Sequence, residues 1–400
     1  MSLQRALIVG AGHGGVQLAA SLRQDGWTGE VVLIGEEPTL PYQRPPLSKA
    51  YLAGKSTIDE LAIRSAEFYR KQGIKLVDAT VEAIDRSAGR LALSTGDALP
   101  YDKLALCTGA RPRRLATSGA DLAGVYYLRT AADVEMIRAA ARPGRRAVIV
   151  GGGYIGLETA ASLRALGLEV TVLEATERVL ERVTAPQVSA FFDRIHRNEG
   201  VNIRTHALVE AVSGDSRVRE VVLSCGEAIP ADLVIVGIGV EPNTELAAAA
   251  DLVVDNGVVI DDQAQTSDPD IVAAGDCASH RMARYGRRIR LESVPSASEQ
   301  AKVAAATING KSRKIAALPW FWSDQYDLKL QIAGLNTGYD EVVLSGDPTG
   351  DRDFTCFYLR AGELVAADCI NRPRDFVFSK RAITQQLHIN RDELLLAGSA

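Results

Sequence analysis

Two short glycine clusters are the residues best suited to chemistry. GAGHGG contains Gly10, Gly12, Gly14 and Gly15, and GGGYIG contains Gly151, Gly153 and Gly156. Each follows an apolar run (ALIV, 6–9; AVIV, 147–150) and opens a stretch of helical period, VQLAASLRQDG or LETAASLRALG. Each stretch leads into a second apolar run, EVVLIGE or LEVTVLE, that ends in an acid, Glu36 or Glu174. Laying Gly10 on Gly151 also lays AASLR at 19–23 on AASLR at 160–164. At this spacing the first glycine permits a tight turn and the second lets the backbone approach a pyrophosphate. The third lets the helix pack on its strand. The helix start then offers N–H groups and positive dipole to the phosphates, and the acid about 20 residues on accepts from ribose hydroxyls. One such motif is weak. Two in the same register predict that the chain binds two dinucleotides.

The elements that must hold these turns are buried parallel strands alternating with helices, an α/β arrangement. Between the two units, LALSTGDALPYDKLALCTGARPR ends an apolar strand at Thr108 and Gly109. After the second, LVIVGIGVEPN (233–243) repeats that ending, and a later strand stops at Gly275-Asp276, where the acid could accept from a sugar or ribityl hydroxyl. Pro295 then begins a helical stretch, SASEQAKVAAATI, whose start could face an electron-accepting ring. Four hundred residues predict two or three domains. With 46% apolar and 24% charged residues the chain is neither disordered nor fibrous. A net charge of −5 gives no support to nucleic-acid binding. No apolar stretch approaches the roughly 20 residues of a membrane helix, and no targeting segment precedes the first strand, so a cytoplasmic location is expected. The five cysteines (107, 225, 277, 356, 369) are scattered, with no CxxC spacing. That fits reduced thiols and argues against a dithiol centre or bound zinc. No histidine or carboxylate cluster has metal spacing.

Five further strings carry a resemblance: PYQRPPLSKAYL (41–52), VIVGGGYIGLE (148–158), TSDPDIVAAGDCA (266–278), ESVPSASEQA (292–301) and PWFWSDQY (319–326). Across essentially its whole length the chain resembles the two-dinucleotide-binding flavoproteins, and among them the ferredoxin reductases of bacterial oxygenase systems. RPPLSK and PWFWSDQ are the most specific strings, since the fold requires neither. The resemblance implies two Rossmann-like domains and a small α+β C-terminal domain. The FAD-binding domain would comprise 1–114 with 240–317, the NAD-binding domain 115–239, and the C-terminal domain 318–400. It implies flavin contacts at Gly12, Gly14, Glu36, Arg44, Lys49, Val81, Arg129, Asp276, Val294 and Trp320, beside the motif residues Gly10, Gly15, Thr108 and Gly109. It implies NADH contacts at Gly153, Ile155, Gly156, Glu158, Glu174 and Gly239, beside Gly151. Lys49 and Glu158 are then the candidate catalytic pair, orienting the nicotinamide. Electrons would pass from NADH through FAD to a [2Fe–2S] ferredoxin docked near Arg64, Lys302 and Lys380. Disulfide reductases carry a cysteine pair on the first helix, and cysteine-based NADH oxidases and coenzyme A disulfide reductases carry one near Tyr42. This chain has no cysteine before Cys107.

Each of these residues also has an ordinary reading. Lys49, after Pro45-Pro46 at an expected helix start, would be a solvated lysine, and Glu158 would suit a helix dipole. Trp320 and Trp322, two apart on one strand face, would be core. The arginines at 281, 284, 287, 288 and 290 would line a solvated loop, and they are the rival docking patch. Alternative acceptors are a rubredoxin, a quinone or monodehydroascorbate. A non-catalytic relative resembling apoptosis-inducing factor would need targeting or basic DNA-binding runs, which are absent from the sequence.

Overall fold

A computed structural model describes residues 4–396. The chain divides into two compact units. The first comprises 1–43, 58–111 and 241–317, and the second 44–57, 112–240 and 318–400.

In the first unit the apolar run at 6–9 becomes the strand Arg5–Val9, the centre of a five-stranded parallel sheet. From one edge the order is Ile271–Ala273, Lys103–Leu106, Arg5–Val9, Glu30–Gly35 and Ile74–Asp78. Ala6, Leu7 and Ile8 are fully buried, as a strand covered on both faces requires. The helix His13–Gln24 buries Val16, Leu18, Ala19 and Leu22 and ends before Gly26, whose φ of +102° stops it. Against it packs the helix Val294–Ile308. That helix buries Ala297, Ala301, Ala304 and Ala305, small side chains that let two helix backbones come close. It begins one residue before the expected Pro295, with Ser293 as N-cap and the proline in its first turn.

The second unit repeats the sheet, in the order Val201–Arg204, Glu169–Leu173, Arg146–Val150, Leu233–Val236 and Val125–Tyr127, again all parallel. The same unit contains an antiparallel five-stranded sheet, ordered Trp320–Gln325, Leu328–Gly334, Glu363–Ile370, Phe354–Arg360 and Glu341–Ser345. The helix Pro373–Gln385 packs on it. The architecture is therefore α/β, with two Rossmann-like sheets and an α+β C-terminal part.

Two local expectations are corrected. RPPLSK does not start an α-helix. It forms a single 3₁₀ turn, Pro45–Ser48, closed by Leu47 N–H to Arg44 O and Lys49 N–H to Pro46 O, both 3.0 Å. The two prolines occupy the first turn, where a missing N–H costs nothing, and the turn ends because Lys49 leaves it at φ −123°, ψ −111°. The arginine run is a hairpin rather than a loop: strands Ala278–Met282 and Arg287–Ile289 pair antiparallel, with Arg281, Arg284, Arg287 and Arg288 exposed. Among the described residues no helix is long and apolar enough to cross a membrane.

Candidate functional site

The glycines of each turn separate into two kinds. Gly10 and Gly151 have φ of +106° and +112°, and a Cβ on either would strike the carbonyl oxygen of Cys107 or Gly237. A Cβ on Gly15 or Gly156 would strike the carbonyl oxygen of Gly10 or Gly151. Protein atoms alone explain why these four are glycine. Gly12 and Gly153 are different. Their φ values of −84° and −79° suit any residue, yet an added Cβ would meet nothing within 4 Å. Each is the N-cap of its helix, and no side chain caps either one. Open space beside uncapped helix N–H groups is what a pyrophosphate needs, so both turns fit a dinucleotide. A Cβ on Gly14 would meet the Ala274 carbonyl oxygen at 3.5 Å, an ordinary contact.

The two acids that follow are not equivalent. Glu36 is exposed. Glu174 is half-buried and already holds its own loop: Oε2 accepts from Gly152 N–H at 2.7 Å, and Oε1 accepts from Thr176 N–H and Oγ1–H, both at 2.9 Å. Three donors fix the carboxylate and leave lone pairs for a ribose hydroxyl. Arg178, the nearer of the two arginines that follow Glu174 in the sequence, is committed elsewhere. Its guanidinium donates to Thr184 O at 3.0 Å, Ser189 Oγ at 2.5 Å and Glu181 O at 3.0 Å. The other, Arg182, is exposed beside Gly239.

Lys49 and Glu158 both belong to the second unit. Glu158 lies on the helix Tyr154–Ala165 that follows the second glycine turn, with only 1% of its surface exposed. A buried carboxylate needs compensation, and three donors supply it. Lys49 Nζ is 2.7 Å from Oε2, Ser48 Oγ donates to Oε2 at 2.5 Å, and Ser323 Oγ donates to Oε1 at 2.6 Å. Lys49 Nζ also donates to Pro45 O at 3.1 Å, and Ser162 Oγ donates to Ser48 O at 2.7 Å. A helix dipole alone therefore does not account for Glu158. Ser48 and Ser323 are the site residues that the sequence does not reveal, although each sits inside one of the two most specific strings, RPPLSK and PWFWSDQ. Tyr154, in the same helix, has its hydroxyl pushed well above its usual range by burial, with the charges of Asp368 and Glu158 adding to the effect.

The remaining candidates divide between the units. Val81, Thr108, Gly109, Asp276 and Val294 lie in the first. There Thr108 Oγ1 donates to Asn243 O at 2.7 Å and Asn243 Nδ2 returns a bond to Thr108 O at 2.8 Å, fixing the strand end at Gly109 (φ +68°). Arg44, Arg129, Trp320, Ile155 and Gly239 lie in the second. Arg44 Nη1 donates to Arg129 O at 2.8 Å. Ile155 is 45% exposed on the first turn after Gly153, an apolar side chain left for a ligand to cover. Trp320 stacks near Trp322 with centroids 5.6 Å apart. Of the candidate docking cations, Arg64 is exposed and Lys302 half-buried in the first unit. Lys380, in the second, lies 5.0 Å from the Trp320 ring centroid. All five cysteines are free thiols. Burial raises the thiols of Cys107, Cys277, Cys356 and Cys369, keeping them protonated and unreactive.

Residues 4–301 match the family model of the pyridine nucleotide-disulphide oxidoreductases, and residues 320–397 match a reductase C-terminal model. The chain is 47% identical to putidaredoxin reductase of Pseudomonas putida over 96% of its own length and 92% of the relative's. It is 45% identical to a ferredoxin–NAD(P)+ reductase of a Sphingomonas species, covering 94% and 92%. Its structure matches that of putidaredoxin reductase in a covalent complex with putidaredoxin at a TM-score of 0.95 and 45% identity, over 98% and 96% of the two chains.

Proposed function

Since this chain belongs to the pyridine nucleotide-disulphide oxidoreductase family, we propose that it is an NADH-dependent ferredoxin reductase, passing electrons through FAD to a [2Fe–2S] ferredoxin that serves an oxygenase. The observation that carries the reading is the pair of open glycine turns at Gly12 and Gly153 in a chain whose buried thiols stay protonated. Two dinucleotides fit, and no protein dithiol stands between them and the acceptor. The relatives supply the acceptor class: one is named for putidaredoxin and another for ferredoxin.

When bound, FAD takes two electrons from NADH and can release them singly, which suits a one-electron iron–sulfur partner. The chain's residues bind and orient. We assign FAD to 1–114 with 240–317 and NADH to 115–239, with 318–400 as a separate C-terminal domain. Gly10, Gly12, Gly14 and Gly15 would receive one pyrophosphate; Gly151, Gly153 and Gly156 would receive the other. Glu36 and Glu174 would accept from ribose hydroxyls. Arg44, Val81, Thr108, Gly109, Arg129, Asp276, Val294 and Trp320 would complete the flavin contacts, and Ile155 and Gly239 those of the nicotinamide nucleotide. Glu158 holds the Lys49 ammonium at 2.7 Å, so that the lysine presents a fixed charge on the nicotinamide side. Glu174, already turned toward the second glycine loop, favours a 2′-hydroxyl over a 2′-phosphate. Arg64, Lys302 and Lys380 are the proposed docking cations. Free thiols throughout suit the cytoplasm.

The test is anaerobic bleaching of the flavin by NADH, followed by cytochrome c reduction with and without a [2Fe–2S] ferredoxin. Ferredoxin-dependent cytochrome c reduction supports the reading. Turnover with a rubredoxin or a quinone but not with any ferredoxin would overturn it.

A further inference from the structure

A row of hydrogen bonds leads away from Glu158 through groups that are almost wholly buried. Ser323 Oγ meets Glu158 Oε1 at 2.6 Å, Gln325 Nε2 meets Ser323 Oγ at 3.1 Å, Gln325 Oε1 meets His196 Nε2 at 2.8 Å, and Tyr326 OH meets His196 Nδ1 at 3.0 Å. Glu158, Ser323 and Gln325 are each 1% exposed, and His196 is 0% exposed. All five residues lie in the second unit.

The carboxylate dictates the direction of every bond. It can only accept, so the single Ser323 proton points at Glu158. The serine oxygen must then accept from the Gln325 amide, which turns the Gln325 carbonyl toward His196. That carbonyl can only accept, so His196 carries its proton on Nε2, and Nδ1 is left to accept from Tyr326. Flipping the Gln325 amide would set its carbonyl against a serine oxygen with no proton to give, so no other order satisfies the row. Every donor points toward Glu158.

We infer that Ser323 is a positioning residue for the nicotinamide site. Through Gln325 and His196 it locks the Glu158 carboxylate, and with it Lys49, to the helix Pro186–Asn198 and the strand Trp320–Gln325. The inference rests on the reading of Glu158 given above. It extends control of that pair to a strand of the C-terminal part and to a histidine that touches neither member of the pair.

The FAD-loaded protein tests it. At saturating NADH, Ser323→Ala slows stopped-flow flavin reduction about tenfold, the effect of losing roughly one hydrogen bond to a charged group, while the Kd for NADH changes little. Ser323→Thr keeps the hydroxyl and restores the rate. ¹⁵N NMR of the oxidised protein without NADH finds His196 protonated on Nε2. Wild-type reduction by Ser323→Ala, with Glu158→Ala slow, overturns the inference and leaves the reading of Glu158 standing. Wild-type reduction by Glu158→Ala overturns that reading and the inference with it. Equal slowing by Ala and Thr, or a proton on Nδ1 of His196, also overturns the inference, because the directed row would not be what holds the carboxylate.

Discussion

Gly153 and Gly156 lie three residues apart in one turn and should fail in opposite ways when replaced by alanine. At Gly156 the new methyl must enter the space of the carbonyl oxygen of Gly151, a residue itself held at φ +112°. Overpacking of this kind costs about 1–3 kcal/mol, offset by about 1 kcal/mol of gained helix propensity. At Gly153 the methyl meets no protein atom within 4 Å and the backbone is ordinary. The stability cost is only the loss of a good N-cap residue, roughly 0.5 kcal/mol. The ligand bears the rest. A methyl on Gly153 stands where the pyrophosphate must approach the helix start, and losing one hydrogen bond to a charged phosphate costs about 1.5–3 kcal/mol, roughly a 10- to 100-fold weaker Kd. Thermal unfolding of the FAD-loaded protein and titration with NADH separate the two effects. Gly153→Ala should keep its melting temperature and lose NADH affinity, while Gly156→Ala should melt earlier. A Gly153→Ala protein that binds NADH as tightly as wild type would refute the argument that the open space is a phosphate cradle.

Replacing Glu158 by Ala leaves the Lys49 ammonium and two serine hydroxyls without their acceptor, and should slow flavin reduction while the flavin absorbance of the purified protein stays unchanged; loss of FAD instead would make the pair structural. Burial lowers His196 from 6.5 to about 4, against smaller opposing effects of the Gln325 bond and the Asp193 charge. The folded state therefore binds fewer protons than the unfolded one between these values. His196 thus stabilises the fold fully above pH 6.5 and loses up to about 3 kcal/mol as pH falls to 4. Burial raises Asp368 to about 7, which acts in the opposite sense over an overlapping range, so the histidine effect is read as the difference in pH slope between wild type and His196→Gln; equal slopes would refute it. Glu174→Ala should narrow the preference for NADH over NADPH in kcat/KM, because it removes both a ribose acceptor and a negative charge; equal use of both nucleotides by the wild type would sink the assignment. Ferredoxin reduction should fall as salt rises, while NADH-to-ferricyanide activity barely changes. Lys302→Glu should reproduce that split, and loss of both activities would assign Lys302 to the flavin site instead.

The glycine turns were legible because backbone geometry compels the residue. No side chain fits at Gly10, Gly15, Gly151 or Gly156, so the motif records the conformation directly. The strands were legible because burial on both faces demands unbroken apolar runs such as ALIV and AVIV. The turn at 45–48 reads as a helix start, since proline at a first helical position and proline in a 3₁₀ turn look alike until the next residues show whether the ladder continues. Ser48 and Ser323 could not be recognised as partners of Glu158. Their bonds join positions 110 and 165 residues apart, and a serine carries no local sign of which acceptor it will meet. The difference between Glu36 and Glu174 was hidden for the same reason, as it depends on where the loop around Gly152 lies.

The order of strands in the first sheet sets a timetable for biosynthesis. The edge strand Ile271–Ala273 pairs with Lys103–Leu106, yet it leaves the ribosome only after the chain from Leu106 to Ile271 has been made. At about 5–20 residues per second that is a delay of roughly 8–33 s. Throughout that interval the N-terminal sheet presents an apolar strand with an unpaired edge, the feature that templates association between nascent chains. The whole of the second parallel sheet is synthesised during the same gap. Rare codons or a truncation between 107 and 270 would therefore lengthen exposure of that edge, and aggregation during expression should respond to translation speed there more than in the segment after 318.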